Sequence, residues 1–229
     1  MNKIISYIMF VMFIVMSPVG ANDIYVTQSG DNLTLDVLQD GENNTIGSSG
    51  TASTSTGATT NLNIDQVGGS NVITYQINGA SYTGVINLAG DSNDVDLNCD
   101  STGGNSSCGS VNAVINFTGS SNDIDLDIGE TSDASGADVD IVGQSGSDSN
   151  TVAATIDGTS AVLTITIDGD TNNYLIDIDV NGDVNGHTLV HSHTGSIADV
   201  DITQSGVNDN IINLTTSGDN HTIGIIQRD

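Results

Sequence analysis

Few side chains in this 229-residue sequence have the chemistry of a catalyst or a ligand set, and their spacing says more than their number. Aspartates come first. Asp94/Asp96, Asp123/Asp125/Asp127, Asp138/Asp140, Asp177/Asp179 and Asp199/Asp201 each alternate with other residues. On a strand such carboxylates share one face. Stacked at the strand spacing of about 4.8 Å, a pair repels by about 1 kcal/mol in water. Salt would screen that repulsion, and a divalent cation would bridge it. The pattern therefore reads as a solvated acidic face, with Ca²⁺ as the one cofactor it admits. Asp177, Asp179 and Asn181, followed by Gly182, reproduce the opening of an EF-hand loop, but its twelfth position is Thr188 and no helix pattern flanks it.

His187, His191 and His193 fall within seven residues. If that segment is a strand, all three share a face with Leu189. They could take Zn²⁺ or Cu²⁺, or change charge near pH 6. No cysteine or other fourth ligand stands beside them, and scattered polar residues near a turn give the same pattern. Cys99 and Cys108, with eight residues between them, suit a disulfide closing a short loop in an oxidising compartment. The G-x-S-x-G elbow, the H-E-x-x-H helix and a lysine-bearing phosphate loop are missing from the sequence. Paired acids could serve a glycosidase, but only Tyr25, Tyr75, Tyr82, Tyr174 and Phe117 remain beyond the leader to grip a sugar. The expectation is a protein that is not an enzyme.

Composition narrows the class. With 29 acidic against two basic residues, the net charge is −27. Such a chain repels phosphates, which argues against nucleic acid as a partner. Lys3, the apolar run 4–16, Pro18 and the small residues Val19-Gly20-Ala21 read as a secretion signal. Cleavage after Ala21 is expected, so residues 1–21 form the leader and 22–229 the mature domain, exported and without stable membrane insertion. Arg228 is then its one basic residue.

The elements that must position these groups are short and repeated. Gly146, Gly158, Gly169, Gly182, Gly195, Gly206 and Gly218 stand eleven to thirteen residues apart, and Gly57, Gly68, Gly79 and Gly90 eleven apart. Between them run period-2 segments such as Ile124-Leu126-Ile128 and Tyr174-Ile176-Ile178-Val180. One strand-and-turn unit has a single apolar face and cannot stand alone. Stacked units bury it. The expected architecture is all-β: a β-solenoid of about eight two-strand coils with parallel stacked sheets. Three inserted loops are expected at residues 47–60, 98–112 and 130–138.

Several turns carry amides beside the glycine. Gln28-Ser29-Gly30 precedes Asn32, Gln39-Asp40-Gly41 precedes Asn43 and Asn44, and Gln66-Val67-Gly68 precedes Asn71. Gln144-Ser145-Gly146 precedes Asn150, and Gln204-Ser205-Gly206 precedes Asn208 and Asn210. Amides repeated from coil to coil can form ladders that satisfy buried polar groups. Ala89-Gly90, Thr118-Gly119, Asp168-Gly169 and Asn181-Gly182 keep only the glycine and a following asparagine.

In these residues the sequence resembles the curlin repeat family, the subunits of curli fibres, with the Q-x-G-x-x-N pattern closest at Gln66 to Asn71 with Gln76, and at Gln28 to Asn32 with Gln39. The resemblance covers about half of the mature chain. It implies a secreted β-solenoid that polymerises into an extracellular amyloid fibre of the biofilm matrix. Its partners would be further copies of itself, other fibre subunits, or an outer-membrane secretion and nucleation system. The terminal segments Asp23–Gln28 and His221–Gln227 are the expected contact surfaces. The competing expectation is a monomeric acidic surface or virion solenoid that binds or adheres in a Ca²⁺-dependent way.

Overall fold

The computed structural model describes residues 23–30, 32–41, 43–47, 52–68, 70–79, 81–99, 108–129, 136–179, 186–206 and 210–228. Among them every regular element is a strand. In chain order these are β1 (Asp23–Ile24), β2 (Thr27–Ser29), β3 (Asn32–Asp40), β4 (Thr45–Ile46), β5 (Ser53–Gly57), β6 (Thr59–Val67), β7 (Val72–Gly79), β8 (Ser81–Ala89), β9 (Asp94–Cys99) and β10 (Ser110–Thr118). There follow β11 (Asp123–Ile128), β12 (Ala137–Gly143), β13 (Thr151–Asp157), β14 (Val162–Asp168), β15 (Asn172–Asp179), β16 (Thr188–Thr194), β17 (Ala198–Ser205), β18 (Ile211–Ser217) and β19 (Thr222–Arg228).

The strands alternate between two parallel sheets. One has eight strands in the order β18-β16-β14-β12-β10-β8-β6-β3. The other runs β1-β4-β7-β9-β11-β13-β15-β17-β19, with β2 and β5 completing its first two rungs. From β5 on, each strand pairs with the strand two places on in the chain, and β1 to β4 pair three places on because the first rungs of one sheet are split in two, which is the connectivity of a β-solenoid. Seven full turns join the first rung of the smaller sheet to its last, slightly fewer than the count of about eight read from the sequence.

Burial alternates residue by residue, as period-2 patterning requires. Inward side chains line up in columns one rung apart. Ile24, Ile46, Ile73, Val95, Ile124, Val152, Tyr174, Val200 and Ile223 form one such column. The core is aliphatic for most of its length, but Tyr75, Tyr82, Phe117 and Tyr174 are also fully buried. The large rings need small neighbours: a Cβ on Gly143 would lie 2.7 Å from Phe117 Cζ.

The loop expected at 47–60 is largely not a loop. Ser53–Gly57 and Thr59–Val67 are strands. Within 53–60 the inward residues Ser53, Ser55 and Thr60 are small and polar, and their hydroxyls are satisfied: Ser55 Oγ and Thr60 Oγ1 are 2.7 Å apart, and Ser53 Oγ accepts from the Val26 N–H at 3.0 Å. The other two expected insertions are trimmed, since Asn98 and Cys99 belong to β9, residues 110–112 to β10, and Ala137 and Asp138 to β12. Residues 100–107 and 130–135 lie outside the described residues, as does the proposed leader, 1–21.

Candidate functional site: amide columns and open ends

The turn from the eight-stranded sheet into the other is almost invariant. It reads Gly-x-x-Asn at Gly41–Asn44, Gly68–Asn71, Gly90–Asn93, Gly119–Asn122 and Gly169–Asn172. Ser147 replaces the glycine before Asn150. The third residue of the turn is left-handed: Asn43 (φ 58°), Ser92 (64°), Ser121 (61°), Ser149 (57°), Thr171 (61°), Ile197 (60°) and Asn220 (63°). This aims the fourth residue inward. Asn44, Asn71, Asn93, Asn122, Asn150 and Asn172 are all buried. The glycine is required because turns stack tightly. At Gly195 φ is +143°, and a Cβ would run into the Gly169 carbonyl oxygen of the turn below.

The asparagines form a hydrogen-bonded spine. Asn93 Nδ2 donates to Asn122 Oδ1 at 2.7 Å, Asn122 Nδ2 to Asn150 Oδ1 at 2.9 Å, and Asn150 Nδ2 to Asn172 Oδ1 at 2.9 Å. The same oxygens accept the backbone N–H groups of Asn93, Asn122 and Asn150. Each amide also closes its own turn, as Asn122 Nδ2 does on the Gly119 carbonyl at 2.8 Å. At the next rung the column meets Ala198, then His221, whose Nδ1 accepts the Ala198 N–H at 3.3 Å.

The structure thus sorts the expected motif residues. Asn150 is in the spine, while Asn71 is buried at the equivalent turn position but outside the bonded run, its Nδ2 donating to the Ala89 carbonyl at 3.5 Å. Asn32 and Asn43 are exposed and outside it, and Asn44 holds the position assigned to Asn43. Asn210 caps the opposite corner, accepting the His187 N–H at 3.1 Å and donating to the Gly206 carbonyl at 3.2 Å. Gly30, Gly41, Gly68, Gly146 and Gly206 all turn at positive φ.

The glutamines form two short columns at opposite ends rather than one continuous ladder. Gln66 Nε2 donates to Gln39 Oε1 at 2.5 Å, and the next inward residue of that column is Leu88. Gln227 Nε2 donates to Gln204 Oε1 at 3.3 Å in the other sheet, and Ile178 precedes them. Gln28 is half-buried and donates to the Gly30 carbonyl at 3.3 Å. Gln144 is exposed and outside any column. An outward chain, Asn116 to Asn87 to Asp65, was not anticipated: its donors bind at 2.8 and 2.5 Å.

The aspartates mostly avoid one another. Asp94 stacks on Asp123 and Asp96 on Asp125 where β9 meets β11. Asp199 and Asp201 instead face Asn173 and Leu175 on one side, and Thr222 and Gly224 on the other. Partial burial first, and then the neighbouring carboxylates, raise the pKa of Asp94, Asp96 and Asp125. Among the described residues no group of three His, Cys, Asp or Glu side chains could hold a metal ion. Asp177 lies on β15, Asp179 ends that strand, and Asn181 is outside the described residues.

The three clustered histidines are core residues. His187, His191 and His193 are fully buried around β16, on the face of Leu189 as the strand reading requires. His187 Nδ1 accepts the Ala161 N–H at 2.9 Å, and Tyr174 Oη lies 2.9 Å from His193 Nδ1. Cys99 and Cys108 are joined in a disulfide within the core.

Among the described residues, nothing covers either end of the stack. The inward residues Ile24, Val26, Leu33, Leu35 and Val37 of the first rungs, and Ile212 and Leu214 of β18, are only partly covered. On β19, Ile223, Ile225 and Ile226 are 44, 47 and 48% exposed. The two end rungs share one register. Followed rung by rung, Thr222 stands in the column of Asp23, Ile223 in that of Ile24 and Gln227 in that of Gln28. In the other sheet Ile212 and Leu214 stand in the columns of Leu35 and Val37.

The fold and these columns define a parallel β-solenoid whose end rungs are left partly exposed by the described residues. No family model matches the chain, and no curated protein or solved structure matches it. The resemblance to the curlin repeats therefore rests on the residues quoted above.

Proposed function

We propose that this protein is a secreted structural repeat protein that stacks end to end into curli-like extracellular fibres. The observation that carries the reading is the pair of open ends. A half-exposed apolar layer lies at each, and an edge of unpaired backbone groups invites pairing with another chain. One copy's β19 set beside the next copy's first rung would continue the Ile, Val and Gln columns and complete an amide run from Gln204 through Gln227 to Gln28. The contact is head-to-tail, so it does not close and leads to a filament. Other fibre subunits or a secretion and nucleation system at the cell surface would enter by the same edges.

The test is incubation of residues 22–229, followed by thioflavin fluorescence and electron microscopy. Filaments are expected from the natural sequence, and their loss from Ile225→Lys, which places a charge in the contact while leaving the stack below intact. A product that stays monomeric with and without salt overturns the reading. A second reading, a monomeric Ca²⁺-dependent adhesion module, is favoured by the stacked Asp94/Asp123 and Asp96/Asp125 pairs. A calcium-induced rise in melting temperature without filaments would select it.

A further inference from the structure

We propose that acid opens the C-terminal turns of the solenoid and leaves the N-terminal turns closed, so that assembly is regulated by pH at one end only. This rests on the end-to-end reading for its consequence but not for its mechanism. The cluster responsible lies behind the last apolar layer. His191 is stacked between Ile165 and Leu214 in its column, with the Tyr174 ring edge-on across the core at 4.4 Å between centroids. His193 follows on the same face, between Ile167 and Thr216, with the His221 ring 5.4 Å away. Neither nitrogen of His191 has a hydrogen-bond partner, nor has Nε2 of His193 or of His221. The His191 ring is therefore built in neutral, and a second proton on it is a buried charge without an acceptor.

The surroundings offer little compensation. Strand β14 contributes Asp168 at its end, with Asp170 in the next turn, and these favour charge on His193. From β15 the inward titratable group is Tyr174. On β17, Asp199 and Asp201 point to solvent, β18 has no titratable side chain, and β19 adds only the exposed Arg228 after His221. Burial, reinforced by His193, pushes His191 down to about 4, and burial with His221 lowers His193. At the other end the inward residues are Ile24, Val26, Gln28, Leu33, Leu35, Val37 and Gln39, none of which titrates.

The sign follows from linkage. The unfolded rings bind protons more readily than the folded ones, so the closed state carries no penalty above the ordinary histidine pKa near 6.5 and a growing one below it. Each depressed histidine makes opening about tenfold more frequent per pH unit until its folded pKa is reached.

The experiment is hydrogen exchange read by mass spectrometry on residues 22–229, at a concentration below filament formation, from pH 7.5 to 4. After correction for intrinsic exchange, peptides spanning 187–228 should lose protection by at least tenfold per pH unit below 6.5, while those spanning 32–79 keep theirs. In His191→Leu, which suits its Ile165 and Leu214 neighbours, the slope should fall by about tenfold per unit. Histidine side-chain NMR of the natural sequence provides a check independent of any variant, with His191 titrating near 4. Uniform loss along the chain, or histidines titrating near 6.5 without loss of protection, would overturn the inference. Local opening in a protein that never forms filaments would count against the fibre reading alone. Filaments whose two ends grow equally at pH 5 and 7.5 would count against the inference alone.

Discussion

Replacing Asn122 by alanine tests the amide spine at its centre. The side chain makes four hydrogen bonds. Its Nδ2 donates to the Gly119 carbonyl at 2.8 Å and to Asn150 Oδ1 at 2.9 Å, and its Oδ1 accepts from the Asn93 N–H at 3.0 Å and from Asn93 Nδ2 at 2.7 Å. Two of the partners have other bonds: Asn93 Nδ2 keeps the Gly90 carbonyl, and Asn150 Oδ1 keeps the Asn122 N–H. The Gly119 carbonyl and the Asn93 N–H lose the bonds that the side chain gives them. At about 1–3 kcal/mol for each abandoned group, the variant should lose about 3 kcal/mol. For a domain of this size that lowers the melting temperature by about 6–12 °C, read by circular dichroism at the strand band. Asn32→Ala, at an exposed position outside the column, should change stability by less than about 0.5 kcal/mol. A fall of less than about 2 °C for Asn122→Ala, or an equal effect at Asn32, would refute the claim that the column and not the Q-x-G-x-N turn carries the stability.

Two further outcomes follow from the turns and the staple. Ile197 is a half-exposed β-branched residue at φ 60°, where equivalent turns place Asn, Ser or Thr. Ile197→Asn should therefore raise stability by about 1 kcal/mol, seen as an increase of about 2–4 °C in melting temperature. Reducing the Cys99–Cys108 disulfide, which closes a loop of about ten residues, should cost about 2.7 kcal/mol by loop entropy, measured as the melting difference with and without a phosphine reductant.

The architecture was legible because period-2 alternation and regular glycine spacing leave few ways to bury an apolar face. Finer features were hidden for physical reasons. Attention to glutamine sets the wrong frame for the turns. Asn93, Asn122 and Asn172 look like remnants of a Q-x-G motif, whereas the Gly-x-x-Asn turn is the repeat and the stacked glutamines are additions near the ends. Residues 53–60 look like a linker because they lack aliphatics. Ser53, Ser55 and Thr60 are nevertheless inward, and their hydroxyls bond across the core. His191 and His193 look like scattered polar residues, since nothing local reveals that Ile165, Leu214 and Tyr174 surround them. For His191 that information lies in residues 17 to 26 positions away in the chain.

The two edges of the solenoid have different freedoms. Where the chain passes from the eight-stranded sheet to its partner, four turn residues recur at nearly every level, with Gln144–Gly146 added ahead of Ser147 between β12 and β13. On the opposite edge the gap between strands ranges from the single residue between β7 and β8 to the ten between β9 and β10. The molecule therefore has a fixed spine and a permissive margin. New segments can be grafted along that margin one storey at a time, without disturbing the storeys above or below.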